Sequence, residues 1–588
     1  MLCLALCAAP LAAQDDPSLF LDTVDVYVVN VEVIVTDKDG NPVNGLDRED
    51  FEVYEDGKKV EITNFFAVEG RQAVIDADAG QSVETAPTPE TRRLNLVVFI
   101  DNLNMNPRNR NQVFENLRTY LKERLDSRDR VMLVSMSDRV EVAQNFTNDV
   151  DLLLSTLDRL EQVQGAGIQL DTRHRMLLRR MQRATLPPAG GGLDVGVVRS
   201  FEAAQDDASN IARDVTNLAE SRVQQVSATI RALGEFTDSL AGMRGRKAVL
   251  YVSDGIPQRP ADSLAQAWIN KFGDWILGQG ADRAEDDLRE MTTLMGSSRY
   301  DTSSRFDQLI EAASANRVAF YPLSNGAQQA QSGISAEFGS AGTSTGSSPM
   351  GPDVVALENQ SLEGSLLQLA EGTGGIAFTR TANIGGLLEN MIHDFDSFYS
   401  LGYSPPHPAD DKFHEIEVKV KDKKLEVRHL EGYREKDPLT NLQDLTLSAL
   451  HYGIEDNPLG VRLVPTEQTQ VKGDNYHVTL MVQIPFKNLL LLPQEEFHKV
   501  QLSMFVIVRD EKGGVSPFQR IDLPFEIPNA KILEVLNQAA AYPLPLEIEK
   551  GPKRISVGVR DHLSDTDATV NLELDIGTDI IATDPSGR

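Results

Sequence analysis

The sequence predicts an α/β domain, a doubly wound sheet with a helical hairpin inserted into it, flanked by all-β sandwiches. Three observations carry this prediction. Two apolar, β-branched runs, Leu94-Asn-Leu-Val-Val-Phe-Ile-Asp101 and Lys247-Ala-Val-Leu-Tyr-Val-Ser253-Asp254, have the pattern of buried parallel strands, and each stops at an aspartate. Strand and helix patterns alternate around and beyond them. Outside that block, short alternating runs are punctuated by Asp-Gly and Gly-Gly turns. In an open α/β sheet the ligand crevice lies beyond the carboxyl ends of the strands, so Asp101 and Asp254 are expected at one edge.

In chain order, residues 1–13 form a short apolar stretch ending in Ala12-Ala13 and followed by Gln14-Asp15-Asp16, which reads as a secretory signal peptide. Cys3 and Cys7 both fall inside it, so the mature chain is expected to carry no thiol and no disulfide. Residues 22–70 read as a small Ig-like β-sandwich: Tyr27 to Val35 is β-branched, and Asp39-Gly40 and Asp56-Gly57 are hairpin turns. Asp37, Asp39, Glu55 and Asp56 lack the spacing of a calcium loop and are assigned to turns. A linker rich in Ala, Asp, Thr and Pro follows over 70–91.

The α/β domain is placed at 92–400. Its strands are expected at 94–101, 130–137, 140–146, 247–253, 317–323 and 375–379, the second and third forming an antiparallel edge hairpin. Its helices are expected at 107–126, from about 149, and near 304–316, 360–371 and 384–398. Apolar residues from Val197 to Leu240 recur at three- and four-residue steps, with Arg222 the one charged interruption. That pattern predicts one helix over 195–243, roughly 70 Å long. With the helical stretch 150–183 and the break at Pro187 to Gly192, it predicts an antiparallel helical hairpin inserted over about 150–243 and projecting from the domain. Arg173, Arg175, Arg179, Arg180 and Arg183 form a basic cluster near its tip: either a docking site for an acidic partner or anionic polymer, or a flank paired with Glu202, Asp206, Asp207 and Asp214. The Ser/Gly-rich stretch 325–353 is a loop expected to overhang the edge that holds the aspartates. Strand grammar returns over 400–434, which could complete the N-terminal sandwich, and regularly spaced strands over 440–580 predict a second one.

Taken together, Val35-Thr-Asp-x-x-Gly-x-Pro-Val-x-Gly-Leu46, Asp50-Phe51-x-Val-x-Glu-Asp-Gly57, Val98-Phe-Ile-Asp101, Ser400-Leu-Gly-Tyr-Ser404 and Gly432-Tyr433 resemble the bacterial VWFA-related domain family, exported proteins best known from acidobacteria. The resemblance covers about Asp22 to Arg434, and its middle is divergent. It implies a von Willebrand factor type A-like domain and a protein-interaction module of undefined partner, without enzymatic activity. Such domains carry a metal-ion-dependent adhesion site built from Asp-x-Ser-x-Ser, a threonine and a later aspartate. Asp101 and Asp254 match the two aspartates, but Leu103 and Met105 stand at the serine positions. Neither offers the hard oxygen that Mg²⁺ takes, so the resemblance implies a degenerate site.

The chain carries 88 acidic and 57 basic side chains, a net charge of −31, which disfavours nucleic acid and anionic membranes as partners. After the leader, no apolar run reaches membrane-spanning length. Gly342-Thr-Ser344-Thr-Gly346 copies a hydrolase motif inside a Ser/Gly loop and outside any strand-turn-helix elbow, and no pair of the nine histidines has helical i, i+4 spacing. The expectation is a periplasmic or secreted non-enzymatic module that binds a protein partner without metal. The alternatives are an Mg²⁺-dependent adhesin using Asp101 and Asp254, a cell-envelope scaffold, and an enzyme whose site no motif marks.

Overall fold

The computed structural model describes residues 28–70, 72–74, 94–125, 129–163, 167–187, 195–243, 245–279, 282–324, 352–379, 384–407 and 410–578. The leader at 1–13, most of the linker at 70–91 and residues 325–351 of the Ser/Gly-rich loop lie outside them.

The chain is a mixed α/β protein with several sheets. It begins with β1 (Val29–Thr36), β2 (Phe51–Glu55), β3 (Lys58–Val60), β4 (Asn64–Glu69) and β5 (Gln72–Val74). The β2–β3 turn uses Asp56 and Gly57 at φ 47° and 74°, the left-handed pair that a two-residue hairpin turn requires. Asp37 closes the preceding loop by accepting from the backbone of Asp39 and Asn41, each at 2.9 Å, so it is a turn former.

A six-stranded sheet follows: β6 (Leu94–Asp101), β7 (Arg130–Met136), β8 (Val140–Thr147), β9 (Arg246–Val252), β10 (Val318–Ser324) and β11 (Phe378–Thr379). Their order is β11-β10-β9-β6-β7-β8, parallel throughout except for the antiparallel β7–β8 edge pair. β6 is buried along its whole length, in keeping with a run that is apolar but for Asn95 and the terminal Asp101. One face, through Leu96, Val98 and Ile100, packs on α1 (Pro107–Glu123) and α2 (Val150–Glu161). The other, through Val97 and Phe99, packs on the end of the long helix described next.

The helical insertion departs from expectation in how it is seated. The stretch over 150–183 divides into α2, which covers the sheet, and α3 (Gly167–Arg183). The long helix α4 spans Val195–Ser239, close to its expected bounds, but it does not project alone. Its first half (Ala208, Ile211, Val215, Leu218) builds a separate helical core with α3, α5 (Asp262–Gln279) and α6 (Asp282–Gly296). Its second half (Val226, Ile230, Leu233, Phe236, Leu240) lies on the sheet. Arg222 falls between the two halves, where the apolar stripe passes from one core to the next. Trp268 of α5 is fully buried and donates to the Ala208 carbonyl at 3.0 Å, anchoring the helical layer to α4.

After α7 (Ser303–Ala315), α8 (Pro352–Gly372) and α9 (Ile384–Asp396), the chain returns to the first strands through β12 (Phe398–Tyr403), β13 (Phe413–Val420), β14 (Glu426–Arg428) and β15 (Gly432–Arg434). β12 inserts between β1 and β4, and β13 pairs with β2, giving sheets ordered β14-β1-β12-β4-β5 and β15-β13-β2-β3 around one core. Helix α10 (Pro438–Tyr452) starts on the Asp437 cap and leads to β16–β23. These are Arg462–Lys472, Asn475–Pro485, Leu492–Pro493, Phe497–Asp510, Gln519–Pro528, Ala539–Glu549, Gly551–Asp561 and Thr566–Ile576. They form a three-stranded and a five-stranded sheet that close on a common core.

Candidate functional site

The carboxyl edge of the six-stranded sheet is built by the β6–α1 and β9–α5 connections, and it places Asp101 and Asp254 on adjoining loops. The Asp254 amide donates to the Asn104 carbonyl at 2.9 Å, which joins the two. Asp101 is fully buried and accepts from five donors. They are the Leu103 and Asn104 amides at 3.0 and 3.1 Å, Asn104 Nδ2 at 2.9 Å, the Tyr251 hydroxyl at 2.5 Å and the Ser253 hydroxyl at 3.1 Å. Burial raises its pKa against the opposing pull of these donors. Asp254 sits at the N-terminus of α1 and accepts from the Asn106 amide at 2.8 Å and Asn109 Nδ2 at 3.0 Å, where the helix dipole favours an anion.

The surroundings agree with this internal role. Met105 is buried in the core on one face of the sheet and Leu103 packs against the core on the other, so the two positions where hydroxyl ligands would stand serve packing. Asn102 is buried between Ser135 and Arg110, which also donates to the Val163 and Glu161 carbonyls and ties the edge to the end of α2. Both aspartates therefore act as internal staples. Their partners Tyr251, Asn104 and Asn109 were not singled out from sequence, because the alternation of an extended strand gives no hint that a tyrosine two residues before Ser253 reaches across to β6.

The arginines lie along α3, whose inner side buries Leu178 and Met181. Arg180 bridges to α4, donating to Asp214 at 2.7 Å and Asp207 at 2.8 Å. Arg173, Arg175, Arg179 and Arg183 are exposed. The expected pairing thus holds for Arg180 with two of the four acidic residues named.

A second cluster was missed. At the end of β2, Glu55 accepts from the Tyr403 hydroxyl at 2.5 Å and the Tyr433 hydroxyl at 3.1 Å, both on the same oxygen, Oε2. Burial, with Glu55 beside them, raises the pKa of both tyrosines and keeps them donors. The other oxygen, Oε1, lies 3.1 Å from His407 Nε2. The His407 and His414 rings stack with centroids 3.9 Å apart. His414 lies between Asp56 at 2.9 Å and Asp410 at 3.0 Å; burial opposes its charge, but these two hydrogen bonds outweigh that and raise its pKa. Glu435, 4 % exposed, closes the group with Oε2 3.9 Å from His407 Nδ1. His407 and His414 are seven apart on a strand and its lead-in, a spacing no motif records. Glu55 joins them only because β2 pairs with β13.

No protein-family model matches the sequence, and no curated protein matches it significantly. Among solved structures, the conserved hypothetical protein BatB from Bacteroides thetaiotaomicron aligns with 51 % of this chain and 98 % of its own at 11 % identity and a TM-score of 0.20. A β-glucuronidase from Bacteroides uniformis aligns over 33 % of this chain and 20 % of its own at 10 % identity and a TM-score of 0.14. Likenesses this weak carry no argument about fold family or activity.

Proposed function

We propose that this chain is an exported, non-enzymatic protein-interaction module of the VWFA-related kind, whose A-like domain has a doubly wound sheet and presents its edge without a bound metal. The observation that carries the metal-free reading is the saturation of Asp101 by five donors from its own chain, with Leu103 and Met105 turned to packing. A carboxylate so held would have to give up several hydrogen bonds to take a hard cation, and Mg²⁺ demands near-octahedral oxygen ligation that the loop does not offer. The partner surface proposed is the carboxyl edge together with the exposed arginines Arg173, Arg175, Arg179 and Arg183 on an otherwise acidic protein of net charge −31.

The deciding experiment is calorimetric titration of Mg²⁺ into the purified chain beside its Asp101→Ala variant. The expected result is no saturable heat in either. Saturable Mg²⁺ binding lost in Asp101→Ala would overturn the metal-free reading and install the adhesin mechanism in its place. For the surface, a partner captured by the wild-type chain should be lost on combined Arg173→Glu, Arg175→Glu and Arg179→Glu exchange; retention would remove α3 from the interface.

A further inference from the structure

We propose that Glu55 Oε1, His407 Nε2 and one ring nitrogen of His414 form a binding site for a Zn²⁺ ion, with Glu435 orienting His407. The site is independent of the sheet edge and of the interaction role proposed for it.

The donor set has the chemistry of zinc. Two borderline imidazole nitrogens with one carboxylate oxygen make a set that Zn²⁺ takes, whereas Mg²⁺ and Ca²⁺ want oxygen ligands throughout. One ligand atom from each of the three residues lies within 4.8 Å of the others. Ligands around tetrahedral zinc stand about 3.3–3.5 Å apart, given Zn–N and Zn–O distances of about 2.0–2.2 Å. The Glu55–His407 pair, at 3.1 Å, is already near that spacing. The third donor, on His414, lies within 4.8 Å and would close on the ion by rotation of the stacked rings about their side-chain bonds.

The neighbours are those that metal sites use to hold their ligands. A ligating histidine normally donates its second N–H to a carboxylate, which fixes the ring and raises its basicity. His414 has a carboxylate on each ring nitrogen, Asp56 and Asp410, so whichever nitrogen turns to the ion, the other keeps an acceptor. His407 has Glu435 on the side opposite Glu55. On Glu55, both tyrosine hydroxyls occupy Oε2 and leave Oε1 to the ion, a single-oxygen ligand set in place beforehand.

An independent observation supports a cation here. Glu435 Oε2 is buried and has no hydrogen-bond partner among the described residues. A buried carboxylate oxygen without a donor is costly, and a bound Zn²⁺ compensates it by holding His407 as a neutral ligand whose Nδ1–H faces Glu435. Three protein ligands leave a fourth position for water.

Such an ion would join the end of β2, the β12–β13 connection, the start of β13 and the segment after β15, so it would also stabilise the fold. The test uses residues 14–588 without an affinity tag, titrated with ZnCl₂ by calorimetry and weighed by native mass spectrometry. One equivalent of zinc should bind, and zinc should raise the melting temperature. His407→Ala and Glu55→Gln should each weaken binding about tenfold or more, as should Glu435→Gln through the orientation of His407. Asp101→Ala should bind as the wild type, which separates this site from the sheet edge. Absence of saturable zinc binding by the folded wild-type chain, or binding unchanged in both His407→Ala and Glu55→Gln, would overturn the proposal. Circular dichroism of each variant confirms that a lost site is not a lost fold.

Discussion

At the scale of single residues, buried polar groups decide most. Tyr251 donates to a carboxylate that is wholly inside the protein, so Tyr251→Phe should destabilise the chain by about 1.5–3 kcal/mol in a denaturant titration, the range for a hydrogen bond to a charged group. Lys247 is a different case. It is 3 % exposed, donates to the Met243 carbonyl at 2.9 Å, and burial, reinforced by Arg317 and Lys436, lowers its pKa to about 7 against the opposing pull of Asp444 and Glu32. Between pH 7 and its ordinary value of 10.5 the unfolded chain binds a proton that the folded chain largely does not. This group's contribution to stability therefore rises with pH across that window and is least favourable below it. Lys247→Met should raise the melting temperature at pH 7, and its advantage over the wild type should shrink as the pH approaches 10. A constant advantage across that range would mean that the amine is not the cause.

At the scale of elements, two junctions hold the units together. Arg428 on β14 forms a paired contact with Asp394 on α9, at 2.6 and 2.8 Å, and Tyr321 on β10 donates to the same carboxylate at 3.0 Å. Asp394 is 3 % exposed, so Arg428→Met leaves it buried with its cation gone and should cost about 3–5 kcal/mol. Removing both partners should cost less than removing the arginine alone, which a double-mutant cycle reads directly. Beside it, the Arg246 guanidinium lies 4.3 and 4.4 Å from the ring centres of Phe395 and Phe398 and is paired with Glu32. The second junction is α10, which packs on the C-terminal sandwich where β22 carries Gly558. A Cβ there would collide with the Thr446 hydroxyl and crowd Leu442, so Gly558→Ala should destabilise by about 1–3 kcal/mol through overpacking and loosen the helix from the sheet.

At the scale of the whole molecule, chain order and spatial order differ. The first sandwich is assembled from strands on both sides of the α/β unit, β12 lying between β1 and β4. A truncation that begins after residue 75 removes β1 to β5 and leaves β12 and β13 with unpaired edges. Such edges template pairing between chains, so this variant should aggregate and elute ahead of the full chain in size-exclusion chromatography; elution at the position expected from its shorter length would show that the exposed edges do not pair. The long helix α4 makes the same point in the other direction: its 45 residues serve two cores, which is why it exceeds the length that covering one sheet requires. No helix among the described residues is long and apolar enough to cross a membrane.

What the sequence determined by itself was local. The buried run ending at Asp101, the β7–β8 edge hairpin, the Asp56-Gly57 turn and the near-continuous helix from 195 were legible because alternation, helical periodicity and left-handed turn residues act between near neighbours. Helices α5 and α6 were not read, although Leu264, Trp268, Phe272 and Ile276 of α5 stand four residues apart and are all buried in the helical core. The tertiary structure alone decided what the acidic residues do. Asp101 meets Tyr251 across 150 positions, and Glu55 meets Tyr403 across 348. A carboxylate has the same local signature whether it awaits an ion or is already satisfied, and only the donors that folding brings within 3 Å of it make the difference.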